Sequence, residues 1–133
     1  MLYSVLIYDS EAVVHARPKQ EDDALVARHV VLQKKLAAQG KLGPVLRLMP
    51  TTTATTLRQG DQQVIVDGPF AETKEQLLGL YIIDCETLEE ALEITRQIGH
   101  SCGSRSLELR PVALFNPGGA TLPGIMPAVS VAQ

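Results

Sequence analysis

Three histidines, His15, His29 and His100, are the side chains of this 133-residue chain whose ordinary pKa lets them take or give a proton near neutral pH. The spacing sets His29 on the apolar stripe of a helix with Leu25, Leu32 and Leu36. Two readings stay open: a packed histidine holding one hydrogen bond, or a proton-handling group at a cleft between helix and sheet. His100 and Cys102 could chelate, but a metal site needs three or four ligands, and His15, His29 and Cys85 belong to other elements, so no metal is expected. Residues 67–76, DGPFAETKEQ, hold the next concentration of polar groups. Asp67 opens an Asp-Gly-Pro turn of the kind in which the carboxylate bonds its own backbone. Glu72, Thr73 and Lys74 are either a solvated loop or contacts to a ligand, a second subunit, or the last strand through Arg110. Neither a Gly-x-Ser-x-Gly elbow nor a glycine loop opening a helix is present, which removes the serine-hydrolase and phosphate-cradling readings, and no cofactor is expected.

These groups must be positioned by a short list of elements. YSVLIY at 3–8 is rich in β-formers and ends at Asp9-Ser10, followed by a polar loop carrying Pro18. The pattern from about Glu21 to Gln39 is helical, with Gly40 as its stop. Leu42 to Leu48 reads as a strand closed by Pro50, and TATTLRQGDQQVIV as a hairpin turning at Gly60-Asp61. Leu77 to Asp84 is the most apolar segment and belongs at the sheet centre. Thr87-Leu88-Glu89-Glu90 has the capping-box form and starts a second helix, with Gly99 as its end and Glu86, Glu89, Glu90 and Glu93 on its solvated side. SLELRPVAL at 106–114 alternates until Pro111 interrupts the ladder, which marks an edge or the end of a strand.

The order β, α, β, hairpin, β, α, β predicts an α+β sandwich with two helices on one face of an antiparallel sheet. Two helices are not expected to bury Val5 and Ile7 together with Tyr81 and Ile83, so a homodimer is expected to cover the second face. A chain of this length supports one core. A net charge of −3, with 12 basic and 15 acidic residues and no basic block, excludes the footprint of a nucleic-acid binder. No apolar run is long enough to span a bilayer, and the start MLYSVLIYDS lacks the basic leader and cleavage site of a signal peptide. The expected compartment is the cytoplasm, with Cys85 and Cys102 reduced.

The motif DGPFAETKEQLLGLYIIDC, with ATTLR upstream and LELRPV downstream, resembles the DGPF branch of the YCII-related proteins from Met1 to about Val112. The resemblance implies a ferredoxin-like βαββαβ fold, here with an extra β-hairpin, of the dimeric α/β-barrel type, in which two sheets face each other across a two-fold axis. The composition of NPGGATLPGIMPAVSVAQ, with three prolines, three glycines and no charge, sets a tail at 116–133 apart from the domain at 1–115, and this tail is expected to pack on its own chain or on the dimer partner.

Relatives in this family include a small dehalogenating lyase for an aromatic substrate, and DGPF members often occur near alternative sigma factors. The family further suggests a His on the first helix and an Asp before the last strand as an acid/base pair. His29 matches the first position, eleven residues before Gly40, whereas GHSCGS at 99–104 has no Asp, and Asp67 is the replacement that the motif offers. Two functional readings follow. One is a dimeric binding or regulatory module with a small-molecule cleft at the sheet or dimer interface, its contacts drawn from Glu72, Thr73, Lys74, Tyr81 and Arg110. The other is a small lyase or isomerase with His29 as general acid/base, Asp67 orienting it, and Arg110 or Lys74 holding a small anionic or aromatic ligand.

Overall fold

The computed structural model describes residues 1–104 and 106–118. Strand β1 (Leu2–Asp9) alternates strictly, placing Tyr3, Val5, Ile7 and Asp9 inside and the residues between them half-buried on the other face. Helix α1 (Glu11–His15) and helix α2 (Lys19–Ala38) follow, then β2 (Leu42–Arg47). A 3₁₀ turn at Thr51–Thr53 leads into a hairpin of β3 (Thr55–Arg58) and β4 (Val64–Asp67). The chain returns through β5 (Gln76–Asp84), α3 (Leu88–Cys102) and β6 (Ser106–Pro111).

β2, β5, β1 and β6 lie side by side in that order, every neighbouring pair antiparallel. This mixed α+β arrangement agrees with the ferredoxin-like order expected, with β5 central and β6 both at an edge and ending at Pro111, where an edge or a strand's end was expected. β3 and β4 form their own two-stranded sheet.

Both long helices pack on one face. Leu32 and Leu36 from α2 and Ala91, Ile94 and Ile98 from α3 close over Tyr3, Val5, Ile7, Tyr81 and Ile83. Complete burial of an aliphatic side chain contributes about 1.5–3 kcal/mol, and Val5, Ile83 and Ile98 are each fully buried. This corrects the expectation that two helices would fail to bury Val5, Ile7, Tyr81 and Ile83: the four share the helix-covered face. The opposite face carries the alternate residues, with Leu6 paired to Leu80 and Leu80 to Leu46 in one row across three strands.

Three local features depart from the sequence pattern. α1 was expected as loop; it forms because Val14 is buried in the domain and the Glu11 N–H donates to Gln76 Oε1 at 2.9 Å. α3 runs past Gly99 to Cys102 and ends at Gly103 in the left-handed conformation. At its start the Thr87 hydroxyl accepts from the Glu90 N–H at 3.1 Å as a cap should, but the Glu90 carboxylate turns to Lys41 at 3.0 Å and does not complete the box. Most of the tail, from residue 119 on, lies outside the described residues, and with it the expectation that the tail packs on the domain or on a partner. Among the described residues no helix is long and apolar enough to cross a membrane.

Candidate functional site

His29 and Gln33, one turn apart on α2, face the same side of the helix and meet Tyr81 from the sheet. Tyr81 sits on the helix-covered face of β5, opposite Val45 of β2, and is 2% exposed. Its hydroxyl lies 2.5 Å from His29 Nδ1 and 3.1 Å from Gln33 Nε2. The two rings are tilted by 34° with centroids 5.7 Å apart. β2 breaks register with β5 between Leu42 and Val45, at Gly43-Pro44, and this irregularity bounds a cavity of about 390 Å³ between α2 and β2. Val26, Val30, Pro44 and Val45 give it apolar walls, and His29, Gln33, Tyr81 and Arg47 are its polar lining.

Electrostatics fix the protonation of this cluster. Burial, reinforced by the positive charges of Arg28 and Arg47, holds the His29 pKa below the ordinary imidazole value, so the ring is neutral at pH 7. Burial pushes the Tyr81 phenol up to about 12, against the opposing hydrogen bond from Gln33 and with a smaller push in the same direction from Cys102, so it keeps its proton. The tautomer that gives each of the three groups a partner has the Gln33 amide donating to the Tyr81 oxygen and the Tyr81 hydroxyl donating to His29 Nδ1. The imidazole proton then sits on Nε2, which meets no protein partner among the described residues.

A larger cavity, about 440 Å³, lies on the other side of Leu46 and Arg47, over Ile7, Val14, Leu25 and Gly79. Its charged residues are matched within the protein. Glu11 accepts from Thr51 N–H at 2.8 Å and Thr51 Oγ1 at 2.7 Å, Arg17 stands 4.0 Å from Asp9, and Arg47 reaches Asp22 at 3.4 Å. His15 also lines this larger cavity, and His100 lines a third, more open one beside α3, but neither ring meets a buried partner among the described residues; the smaller cavity is where a histidine is held by a buried tyrosine.

Of the residues expected at a site, His29 and Tyr81 are brought together. Asp67 is exposed at the end of β4 and shares no hydrogen bond with His29. Glu72 and Lys74 are exposed and make no side-chain hydrogen bond or ion pair among the described residues, while Thr73 Oγ1 donates to the Glu75 carbonyl at 2.5 Å. Arg110 pairs with Glu108 on the edge strand β6, at the opposite side of the sheet from β2. Gln33 and Arg47 went unnoticed in the sequence, although Gln33 stands four residues after His29 and so on its face of the helix.

The polar stretch 67–76 has a structural account. Gly68, at φ 98°, takes a backbone conformation that L side chains avoid. It donates to the Ala54 carbonyl at 2.7 Å and accepts from Thr56 Oγ1 at 2.7 Å, while Arg58 donates to the Phe70 carbonyl at 2.8 Å. Further on, Gln76 Nε2 donates to the Thr73 carbonyl at 2.6 Å, and Ser106 Oγ donates to Glu75 Oε1 at 3.2 Å. The link to the last strand thus runs through Glu75 and Ser106.

Comparison with known proteins places this architecture. The YCII-related domain matches residues 1–115. A protein of Rhizobium meliloti (strain 1021), described as uncharacterized protein R00369, is 50% identical over 120 residues, which is 89% of this chain and 97% of its own length. A match that takes in every strand of both sheets and all three helices makes the chain a member of the YCII-related family.

Proposed function

We propose that the protein is a binding or regulatory module that holds a small anionic or aromatic ligand in the cavity beside His29. The observation that carries this reading is the hydrogen bond between Tyr81 and His29 Nδ1 at the wall of that cavity. With Nδ1 engaged and Nε2 protonated, His29 is a hydrogen-bond donor, and Arg47, whose exposed pairing with Asp22 at 3.4 Å leaves guanidinium N–H groups over, stands on the same lining. The partner suited to a neutral N–H donor and a cation between apolar walls is a flat apolar body bearing a carboxylate, phenolate or carbonyl oxygen. The volume fits a single-ring molecule.

The runner-up is a lyase or isomerase with His29 as acid/base. A general base needs a free lone pair, and the ring supplies none until Tyr81 lets go of Nδ1, so the donor role is favoured. Asp67 has no part in either reading unless it comes from a second chain.

The module is read as a homodimer of the dimeric α/β-barrel type and of the DGPF branch, its partner covering the row Leu46, Leu80 and Leu6 on the open sheet face. Two unpaired buried thiols, Cys85 and Cys102, suit a reducing cytoplasm.

Benzoate, benzamide and benzylammonium serve as probes, with thermal melting as the readout. Benzoate is expected to raise the melting temperature saturably, benzamide less and benzylammonium not at all. A ligand at a hundred times its dissociation constant stabilises by about 2.7 kcal/mol. His29→Ala is expected to remove the benzoate effect while the variant stays folded. Equal responses to the three probes, or a benzoate response that survives in His29→Ala, would overturn the reading.

A further inference from the structure

We infer that the β3–β4 hairpin is an intersubunit arm that lies against the open sheet face of a second copy of this chain. Seven of its eight strand residues are exposed and Thr56 is half-buried, and yet they include Leu57, Val64, Ile65 and Val66, with Phe70 just beyond. Ile65 and Phe70 stand 72% and 74% exposed. A two-stranded hairpin is marginal in water by itself, and this one is hydrogen-bonded to no strand of the larger sheet. It is nonetheless fixed in shape by the Gly68, Thr56 and Arg58 bonds across its base. A preformed arm with apolar side chains in solvent is built to meet a surface outside its own domain.

The same chain carries the matching surface. Its open face presents Leu46, Leu80 and Leu6 in a row, with Ile82 beside Ser4. The dimensions agree: the four paired residues of each hairpin strand reach about 13 Å, and the three strands that carry the leucine row are about 10–15 Å across. Two apolar surfaces on one chain, an arm and a face, are satisfied together when two copies exchange arms about a two-fold axis. The proposal rests on the homodimer reading and adds what the hairpin does in it.

The test joins sedimentation velocity of the full chain with hydrogen exchange of the hairpin amides, on the wild type, on Ile65→Asp/Phe70→Asp and on Leu80→Lys. A wild-type dimer is expected, weakened at least about tenfold by the arm substitutions, which corresponds to about 1.4 kcal/mol. Leu80→Lys is expected to weaken it as well. Protection of residues 55–58 and 64–67 is expected to fall on dilution of the wild type while that of β5 persists. This measurement needs no variant, and so stands even if a variant fails to fold. A dimer with unchanged affinity in the arm variant and arm protection independent of concentration overturns the arm and leaves the dimer. A wild type that stays monomeric at high concentration overturns both.

Discussion

Tyr81→Phe removes one oxygen and leaves the ring in place. At neutral pH two groups lose their partner: His29 Nδ1, 2.5 Å away, and Gln33 Nε2, 3.1 Å away. Gln33 is buried and His29 half-buried, so water replaces the hydroxyl poorly. A buried polar group left unsatisfied costs about 1–3 kcal/mol, and partial rehydration of His29 from the cavity trims the sum, so a loss of about 2–3 kcal/mol is expected.

The pH dependence separates this from a simple packing defect. The folded state holds the Tyr81 phenol up to about 12, against an ordinary 10.0. The unfolded chain therefore loses the proton first, and the contribution is fully present below pH 10 and declines by about 1.4 kcal/mol per pH unit above it. Between pH 10 and 12 the wild type gives up about 2–3 kcal/mol that Tyr81→Phe never had. The advantage of the wild type shrinks toward zero over that window. Urea melts of both proteins from pH 8 to 11.5 measure it, and the difference in their phenolate absorbance isolates Tyr81 from Tyr3 and Tyr8. Parallel stability curves above pH 10, or a Tyr81 that ionises near 10, would refute the argument that this phenol is held neutral by burial.

On the acid side, the folded-state pKa of His29 is lowered, so the stability its neutral ring confers is complete above the unfolded value of 6.5 and declines as pH falls toward the folded value. Urea melts at pH 7.5 and 5.5 should show a larger acid loss in the wild type than in His29→Gln, and equal losses would count against the desolvated ring. Gly79→Ala would set a methyl 2.3 Å from the Leu46 carbonyl oxygen and 3.1 Å from Arg47 Cα, so β2 must part from β5. A loss of about 3 kcal/mol in urea is expected, together with weaker benzoate binding because β2 walls the cavity. A stable variant with unchanged binding would show that β2 gives way freely.

The parts of the fold with strong local signals were legible in the sequence. Thr87 caps α3 by its own side chain, and β5 was the most apolar run and lies at the centre of the sheet. α1 was not legible, since five residues show no period and the helix depends on Val14 meeting the core and Gln76 meeting Glu11, contacts made by residues distant in the chain. The phase of the strands was hidden for another reason. In LIYD and LYIID both faces are apolar, so alternation alone did not reveal which face the helices cover. His29 was legible from its stripe, but its partner stands 52 residues away, and sheet order made that partner Tyr81 and left Asp67 on a separate hairpin.

The attachment of the arm has a consequence for how such chains diversify. The Leu48 N–H still donates to the Leu78 carbonyl at 2.8 Å, so β2 and β5 remain neighbours to the point where the chain departs. The hairpin is therefore a graft on an existing strand pair, and the two cut ends already sit within a hydrogen bond of each other. Its length and apolar content can drift, or be exchanged by an engineer, without moving the sheet. If the hairpin is the proposed arm, contact with a second copy and the cavity beside His29 can be altered one without the other.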